Sequence, residues 1–285
     1  MPSRLNLHRR NRVAKALYNG LLAQTLGERE AQRGRYENEK LGILLGLIGR
    51  PASLLDLGCG SGLLLHAMQG KVGRLAGLDE SRDRIRQAKE NCRGAEYILS
   101  KIEDMCFEGE FEVIVASQVM HELKLFAPKK VLGQAIMKVR EALVPDGRFI
   151  FLDHLDPGAG DCEISVGSKT THVQLNKFQR EFRYRTVRVQ KLYPELKIKR
   201  RDLQDFVTKT WSFGTNMESM EMRETHCCFT YDQVMTQLKK CGLETRLFKE
   251  FQNIESDLND HDIRLMRARP WNRKFVSVSY IKNGQ

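Results

Sequence analysis

Leu54-Leu55-Asp56-Leu57-Gly58-Cys59-Gly60-Ser61-Gly62 decides the fold of this chain. An apolar run closes on an acid, glycines follow on alternate positions, and Leu63 to Met68 then reads as an apolar helix. That order predicts a buried strand over 53–57, a tight turn, and a helix over 62–68. Glycines at this spacing let a ligand lie against bare backbone amides at a helix N-terminus. The turn lacks the Lys-Ser/Thr ending of a phosphate-binding loop. It also misses the dinucleotide fingerprint, whose third glycine would fall on Leu63.

On either side the pattern alternates. Upstream, Leu41, Leu44, Leu45 and Ile48 make a helical stripe that Gly49 and Pro51 stop. Downstream, strands are predicted over 74–78, 97–99, 111–116 and 148–152. A helix capped by Ser81 runs to about Asn91, and another, with Pro128 in its first turn, runs to about Leu143. From about Leu155 to Cys228 the sequence is basic and aromatic-rich, and the alternation breaks. It resumes with a helix capped by Thr230, then strands over 243–248 and 274–281. Such alternation predicts an α/β fold with a parallel sheet and helices on both faces.

The 285 residues are 41% apolar, enough for a large core, and no apolar run is long enough to span a bilayer. The first acid after Met1 is Glu28; Arg4, Arg9, Arg10, Arg12 and Lys15 precede it, with leucines among them. This segment resembles a mitochondrial presequence over 1–27, but a basic amphipathic helix is the preferred reading. Seven scattered cysteines without a Cys-x-x-Cys pair suggest reduced thiols, a cytoplasmic setting and no zinc ribbon. The net charge is +11, and the stretch from Lys169 to Arg201 alone carries +9, with eleven bases against two acids. The basicity is local and calls for a local explanation.

Asp79 ends the second strand about twenty residues past the turn, where an acid in such folds meets a ribose hydroxyl pair. A helix cap is the alternative. The turn, Asp79 and the strand–helix order together resemble a class I S-adenosylmethionine-dependent methyltransferase of the small-molecule branch, from Ser53 to Leu152 and again from Thr230. Asp56 to Gly62 is similar to the family's first motif. Ser100 to Phe107 resembles its adenine stretch, with Lys101 in place of the aspartate that takes the adenine amino group. Ser117 to Leu123 resembles the segment after strand four, bordering the methionine portion and the substrate.

The resemblance implies a Rossmann-like, seven-stranded, mostly parallel sheet with an N-terminal helical cap over 1–50, a cofactor domain over 51–154 and 229–285, and an inserted substrate or lid region over 155–228. It implies S-adenosyl-L-methionine as cofactor and S-adenosyl-L-homocysteine as product. Backbone around Gly58, Cys59, Gly60 and Gly62 would hold the methionine portion, with Asp56 near its ammonium and Ser117 and Gln118 alongside. Asp79, with Glu80 next to it, would take the ribose. The N–H of Ile102 would meet the adenine, with Glu103 as an acid behind that contact or a solvated surface acid.

A sulfonium methyl is already electrophilic, so the protein must mainly place a nucleophile in line and exclude water; orientation alone supplies roughly 7–11 kcal/mol. A base is needed only for a protonated nucleophile. The candidates are His121, beside Glu122, and His154, beside Asp153, both following strand ends. The alternative for His121 is a wall residue of the cofactor cleft. His-Glu here is no zinc signature, because position 125 is Leu, and no metal is expected.

In the insertion, Phe178, Phe182, Tyr184, Tyr193, Phe206, Trp211 and Phe213 offer pocket surface or, more simply, the insertion's own core. Leu175, Phe178, Phe182, Val189 and Leu192 fit one helical stripe. Three functions remain: a methyltransferase acting on a small organic acceptor, anionic in view of the arginines; an RNA or tRNA methyltransferase gripping phosphates with the basic segment; and a non-catalytic cofactor-binding or partner protein. Ser117-Gln118-Val119-Met120 stands where an Asn/Asp-Pro-Pro-Tyr/Phe motif would mark base amino-methylation.

Overall fold

The structure, a computed structural model, describes residues 26–282. The basic residues 1–25, over which a presequence or amphipathic helix was expected, lie outside the described residues. In chain order the described residues form eleven strands: β1 (Ser53–Leu57), β2 (Arg74–Asp79), β3 (Glu96–Leu99), β4 (Phe111–Ser117), β5 (Leu143–His154), β6 (Asp161–Val166), β7 (Gln190–Lys191), β8 (Leu196–Lys199), β9 (Leu243–Asn253), β10 (Ile263–Leu265) and β11 (Asn272–Ile281).

Seven of these make one sheet in the order β3-β2-β1-β4-β5-β11-β9. Neighbours are parallel except β11, which runs antiparallel to both β5 and β9. All seven strands expected from the sequence are here. Buried strands alternate their side chains between two apolar layers. Leu55, Leu57, Ile114, Phe149, Phe151 and Phe275 fill one layer, with Val139 and Leu238 from the helices Val131–Ala142 and Tyr231–Lys240. Leu54, Val113, Val115, Ile150, Leu152 and Val276 fill the other, with Leu44, Ile48, Leu65 and Ile85. Thr230 caps its helix with a capping box to Gln233, as its position suggested.

Three local features differ from expectation. The helix expected to hold Pro128 in its first turn begins at Val131, after a turn in which Val131 N–H donates to Pro128 O at 2.8 Å. The Pro145–Gly147 turn lies inside β5, where the register against β4 shifts and Asp146 takes φ 63°. A seven-residue helix, Met120–Phe126, follows β4 directly.

By compactness the chain divides into two units. One holds residues 41–160, 226–256 and 270–285, and so the large sheet; the other holds residues 161–225 and 257–269 with the helix residues up to Lys40. Residues 226–228 therefore go with the sheet, because Phe229 is tied to it through Phe229 N–H to His154 O and Asp156 N–H to Phe229 O. Residues 257–269 go with the inserted region, because β10 pairs with β6. That unit carries its own antiparallel sheet, β10-β6-β8-β7. Its helical stripe is shorter than expected. The helix Lys169–Glu181 buries Leu175 and Phe178 and is followed by buried Phe182, whereas Leu192 is exposed beyond β7. Arg183 N–H donates to Met222 O and Arg185 turns to Asp202 and Asp205, which draws the chain off the helix axis. Phe206 and Phe213 are core; Tyr184 and Tyr193 are exposed.

Candidate functional site

The parallel strands β1, β2, β4 and β5 end on one edge of the sheet, where open α/β sheets bind ligands. β1 is buried along its whole length and delivers Asp56, itself buried, just before the turn. Gly58 has φ 66° and Gly60 φ 54°, in the left-handed region that only glycine enters freely. A Cβ on Gly58 would lie 2.5 Å from Val119 Cγ2, so the turn closes against the segment after β4. A Cβ on Gly60 would meet nothing within 4 Å, which leaves open space over that amide. Gly62 forms the N-cap of the helix Leu63–Met68.

Both polar backbone atoms of Cys59 are used within the protein. Its N–H donates to Leu78 O at 3.0 Å, and its carbonyl accepts from Gly62 N at 2.9 Å. Its thiol is buried, and burial followed by the nearby Asp56 and Asp79 carboxylates pushes its pKa up. Cys59 thus shapes the turn and presents no side chain outward.

Asp79 closes β2. Its Oδ2 accepts the Gly60 N–H at 3.0 Å and its Oδ1 accepts the Ser81 N–H at 2.9 Å. The turn and the acid are therefore one hydrogen-bonded construction, with the carboxylate fixed in orientation. Each carboxylate oxygen has two lone pairs, so both keep capacity for a further donor. Glu80 next to it is exposed. Ile102 is buried at the start of the one-turn helix Ile102–Asp104, and Lys101 is exposed. Glu103 Oε2 and Ser117 Oγ are shielded from solvent without a hydrogen-bond partner. Native structures rarely leave such atoms unsatisfied. Open space at Gly60, an oriented carboxylate and two unsatisfied oxygens suit a polar ligand of nucleoside type.

The two candidate histidines come together at the ends of β4 and β5, their rings 5.1 Å apart and nearly perpendicular. Gln118 takes φ 57° there and its N–H bonds Leu152 O at 2.8 Å, turning the chain into the helix Met120–Phe126. His121 is buried, with Nδ1 2.8 Å from Asp153 Oδ1 and its backbone N–H 3.0 Å from Asp153 Oδ2. Asp153, fully buried, also accepts the His154 N–H at 2.8 Å. It orients His121 and fixes its tautomer with the basic lone pair on Nε2. His154 Nε2 lies 3.2 Å from the Gln118 amide nitrogen, and its ring stacks on His226 at 4.2 Å. Burial, then the neighbouring imidazoles of His226 and His121 and the cations Lys274 and Arg273, hold the His154 pKa well below the usual histidine value.

Asp153 and His226 were not singled out from sequence. Asp153 carried a signal, an acid at a strand end beside a candidate histidine. His226 carried none, since it arrives from the far end of the inserted region. His121, Asp153 and His154 each place a donor atom within 4.8 Å of the other two, a spacing that also suits a cation. The Asp153 oxygens already accept three N–H groups, however, and Lys274 and Arg273 add positive potential at His154. The arrangement suits proton transfer better than metal binding.

A family model described as a methyltransferase domain matches residues 50–201. Among curated proteins, a ribosomal protein L11 methyltransferase of Burkholderia mallei is 35% identical over 77 residues, 26% of this chain and 26% of that protein. The match thus spans about a quarter of that relative's length. Among solved structures, a 1,6-didemethyltoxoflavin N1-methyltransferase of Burkholderia thailandensis, with its substrate and S-adenosylhomocysteine bound, is similar in fold. It has a TM-score of 0.51 and 12% identity, over 94% of this chain and 90% of that one. An N-methyltransferase of Bradyrhizobium japonicum bound to S-adenosyl-L-homocysteine gives 0.50 and 14%, over 86% and 85%.

Proposed function

The chain belongs to the class I S-adenosyl-L-methionine-dependent methyltransferases, and from that premise we propose that it methylates a small organic acceptor in a reducing, cytoplasm-type compartment. The carrying observation is the Asp79 carboxylate, fixed by Gly60 N–H of the glycine turn and by Ser81 N–H, with a lone pair left on each oxygen that suits a ribose diol. When bound, S-adenosyl-L-methionine supplies an electrophilic sulfonium methyl, open to in-line displacement. Backbone at Gly58, Gly60 and Gly62 and the carboxylate of Asp56 hold its amino-acid end. Asp79 takes the ribose hydroxyls, with Glu80 at the rim, while Ile102 N–H and Glu103 face the adenine. Ser117 and Gln118 line the methionine side.

His121 is the base. Asp153 holds its Nδ1–H, so Nε2 takes the proton of a hydroxyl, phenol or carboxyl acceptor, and the buried carboxylate stabilises the imidazolium that forms. His154 is not placed for that role. The Gln118 amide nitrogen donates to its Nε2, so the ring proton sits on Nδ1, and the ring stays neutral near pH 7. The inserted residues 155–228 contribute to acceptor choice.

A small acceptor is favoured over RNA because at least three of the eleven bases in the basic segment are spent on ion pairs within the protein. Arg185 is paired to Asp202 and Asp205 at 2.6 Å each, Lys177 to Glu218, and Lys197 to Asp161 at 3.2 Å. A labelled-methyl transfer screen against extracted metabolites and total RNA tests the proposal. Label in the metabolite pool is the expected result. Label in RNA alone would replace it with the nucleic-acid reading, and label in neither would favour a non-catalytic protein.

A further inference from the structure

We propose that the cavity between the helices Val131–Ala142 and Tyr231–Lys240 is a second ligand site, built for a small aromatic carboxylate whose charge meets Lys124. None of the residues that line it belongs to the glycine turn or to the histidine cluster, so the site is separate from the one proposed for methyl transfer.

The space follows from how these helices pack on the sheet. Gly133 lets them approach: a Cβ there would lie 3.0 Å from Gln237 Nε2, and Cys241 Sγ lies 3.7 Å from Gly133 O. Beside that contact they leave a cavity of about 330 Å³. Its walls are apolar and fixed. Ile136, Phe151, Phe229 and Val234 are buried, and Leu132 is partly so. Ligand pockets are lined in this way, mainly by apolar and aromatic side chains with a few placed polar groups, and this volume is at their small end. Phe151 and Phe229 meet edge to face at 5.3 Å. A third ring entering beside them extends the arrangement that aromatic pairs prefer.

The placed polar group here is a cation. Lys124, on the helix Met120–Phe126, lines the cavity half-buried, with its Nζ 4.4 Å from the centre of the Phe229 ring. It donates to Cys228 O and, at 2.7 Å, to Gln233 Oε1. An ammonium has three N–H groups, so one remains for a ligand. Neither partner is a carboxylate, although a lysine drawn out of water is normally paired with one. Burial lowers the Lys124 pKa, against the weaker opposing pull of Cys228, Asp156 and Asp153. A carboxylate on the remaining N–H supplies the counter-charge through a charge-assisted hydrogen bond. A neutral acceptor of the same shape brings only a dipole. Asp232, an acid at the rim, is exposed to water, whose high dielectric weakens its repulsion.

The test uses benzoate as the aromatic carboxylate and benzamide as its neutral counterpart, on full-length protein with ¹³C-labelled methyl groups. S-adenosyl-L-homocysteine is added to keep the donor site filled. Methyl spectra at constant ionic strength follow Ile136 and Val234 in the cavity and Val119 against the glycine turn. Benzoate should shift the Ile136 and Val234 signals saturably, in the millimolar range expected of so small a ligand, and leave Val119 unmoved. Benzamide should bind about tenfold more weakly or worse. Lys124→Gln keeps a donor and deletes the charge, so it should weaken benzoate about tenfold, leave benzamide within about threefold, and erase the preference. Thr236→Trp, at an exposed position on the rim, should fill the mouth and weaken both probes about tenfold or more. No saturable shift in the cavity, equal binding of the two probes, benzoate affinity unchanged in folded Lys124→Gln, or shifts at Val119 in place of Ile136 and Val234 would overturn the site. The comparison of the two probes on the wild-type protein needs no variant and decides the question even where Lys124→Gln fails to fold.

Discussion

Asp79→Ala gives the sharpest test of the donor side. The carboxylate spends one lone pair of each oxygen on Gly60 N–H and Ser81 N–H, at 3.0 and 2.9 Å, and retains one on each for a ribose hydroxyl. A hydrogen bond to a charged acceptor contributes about 1.5–3 kcal/mol. Asp79 is only half-buried, so the lower end applies, and two such bonds give about 3 kcal/mol. At 1.4 kcal/mol per factor of ten, the dissociation constant for S-adenosyl-L-homocysteine should rise roughly 150-fold. Asp79→Asn keeps one acceptor oxygen and should lose about tenfold. Alanine also frees the two backbone N–H groups, a cost of about 1 kcal/mol each that lowers the urea midpoint without touching affinity directly. Calorimetry well below both unfolding transitions, paired with circular dichroism, keeps the effects apart. A folded Asp79→Ala protein within threefold of the wild-type affinity would refute the ribose assignment.

The two turn glycines should part company on substitution. Gly58→Ala drives a Cβ to 2.5 Å from Val119 at φ 66° and should cost about 2–4 kcal/mol in denaturant unfolding. Gly60→Ala meets only open space, so it should cost about 1–2 kcal/mol of stability while S-adenosyl-L-homocysteine affinity falls far more. Once an acceptor is in hand, Asp153→Asn and His121→Gln should each lower kcat about 100-fold near pH 7 and leave cofactor affinity within a few-fold, read by single-turnover kinetics. His154 has a depressed folded-state pKa, so the unfolded chain binds its proton first as pH falls. The stability it contributes is complete above about pH 6.5 and is lost as pH drops below that, by up to about 1.4 kcal/mol per pH unit. His154→Gln should flatten urea midpoints measured between pH 7.5 and 5.5. In the inserted region, Lys209 is fully buried against Glu221 at 3.0 Å and Glu224 at 3.8 Å. Lys209→Met removes the buried cation that these two carboxylates share and should cost about 3–5 kcal/mol in chemical unfolding.

The donor half of the site was legible because its parts are local. Strand, turn and helix N-terminus are contiguous from Ser53 to Met68, and only glycine tolerates the left-handed backbone at Gly58 and Gly60. The sheet was legible for a related reason: strands buried on both faces must be apolar throughout, and Phe111 to Ala116 cannot be read otherwise. The helix Met120–Phe126 was not, since seven residues after a strand carry too little periodicity to declare themselves. β7 and β8 are two and four residues long, and their pairing is set by partners far along the chain, such as Asp161 with Lys199. Residues 257–269 could not be assigned by pattern either, because what claims them is the pairing of Ile263 with Val166.

The acceptor half shows why composition misleads where geometry does not. The eleven bases from Lys169 to Arg201 suggested an anionic partner for the insertion. Several of them answer acids that lie outside that run, Asp161, Asp202, Asp205 and Glu218, and a count limited to the run misses those partners. Arg185 is the clearest case. It is shared between two buried carboxylates and Thr225, so its charge is consumed in holding the inserted region together. The positive potential that bears on His154 comes instead from Arg273 and Lys274, two residues that look unremarkable in sequence. They count because β11 runs antiparallel to β5 and brings its first residues to the edge where the parallel strands end. A charge run read from sequence therefore says little about a ligand until its partners are placed, because strand pairing and ion pairing decide which cations act where.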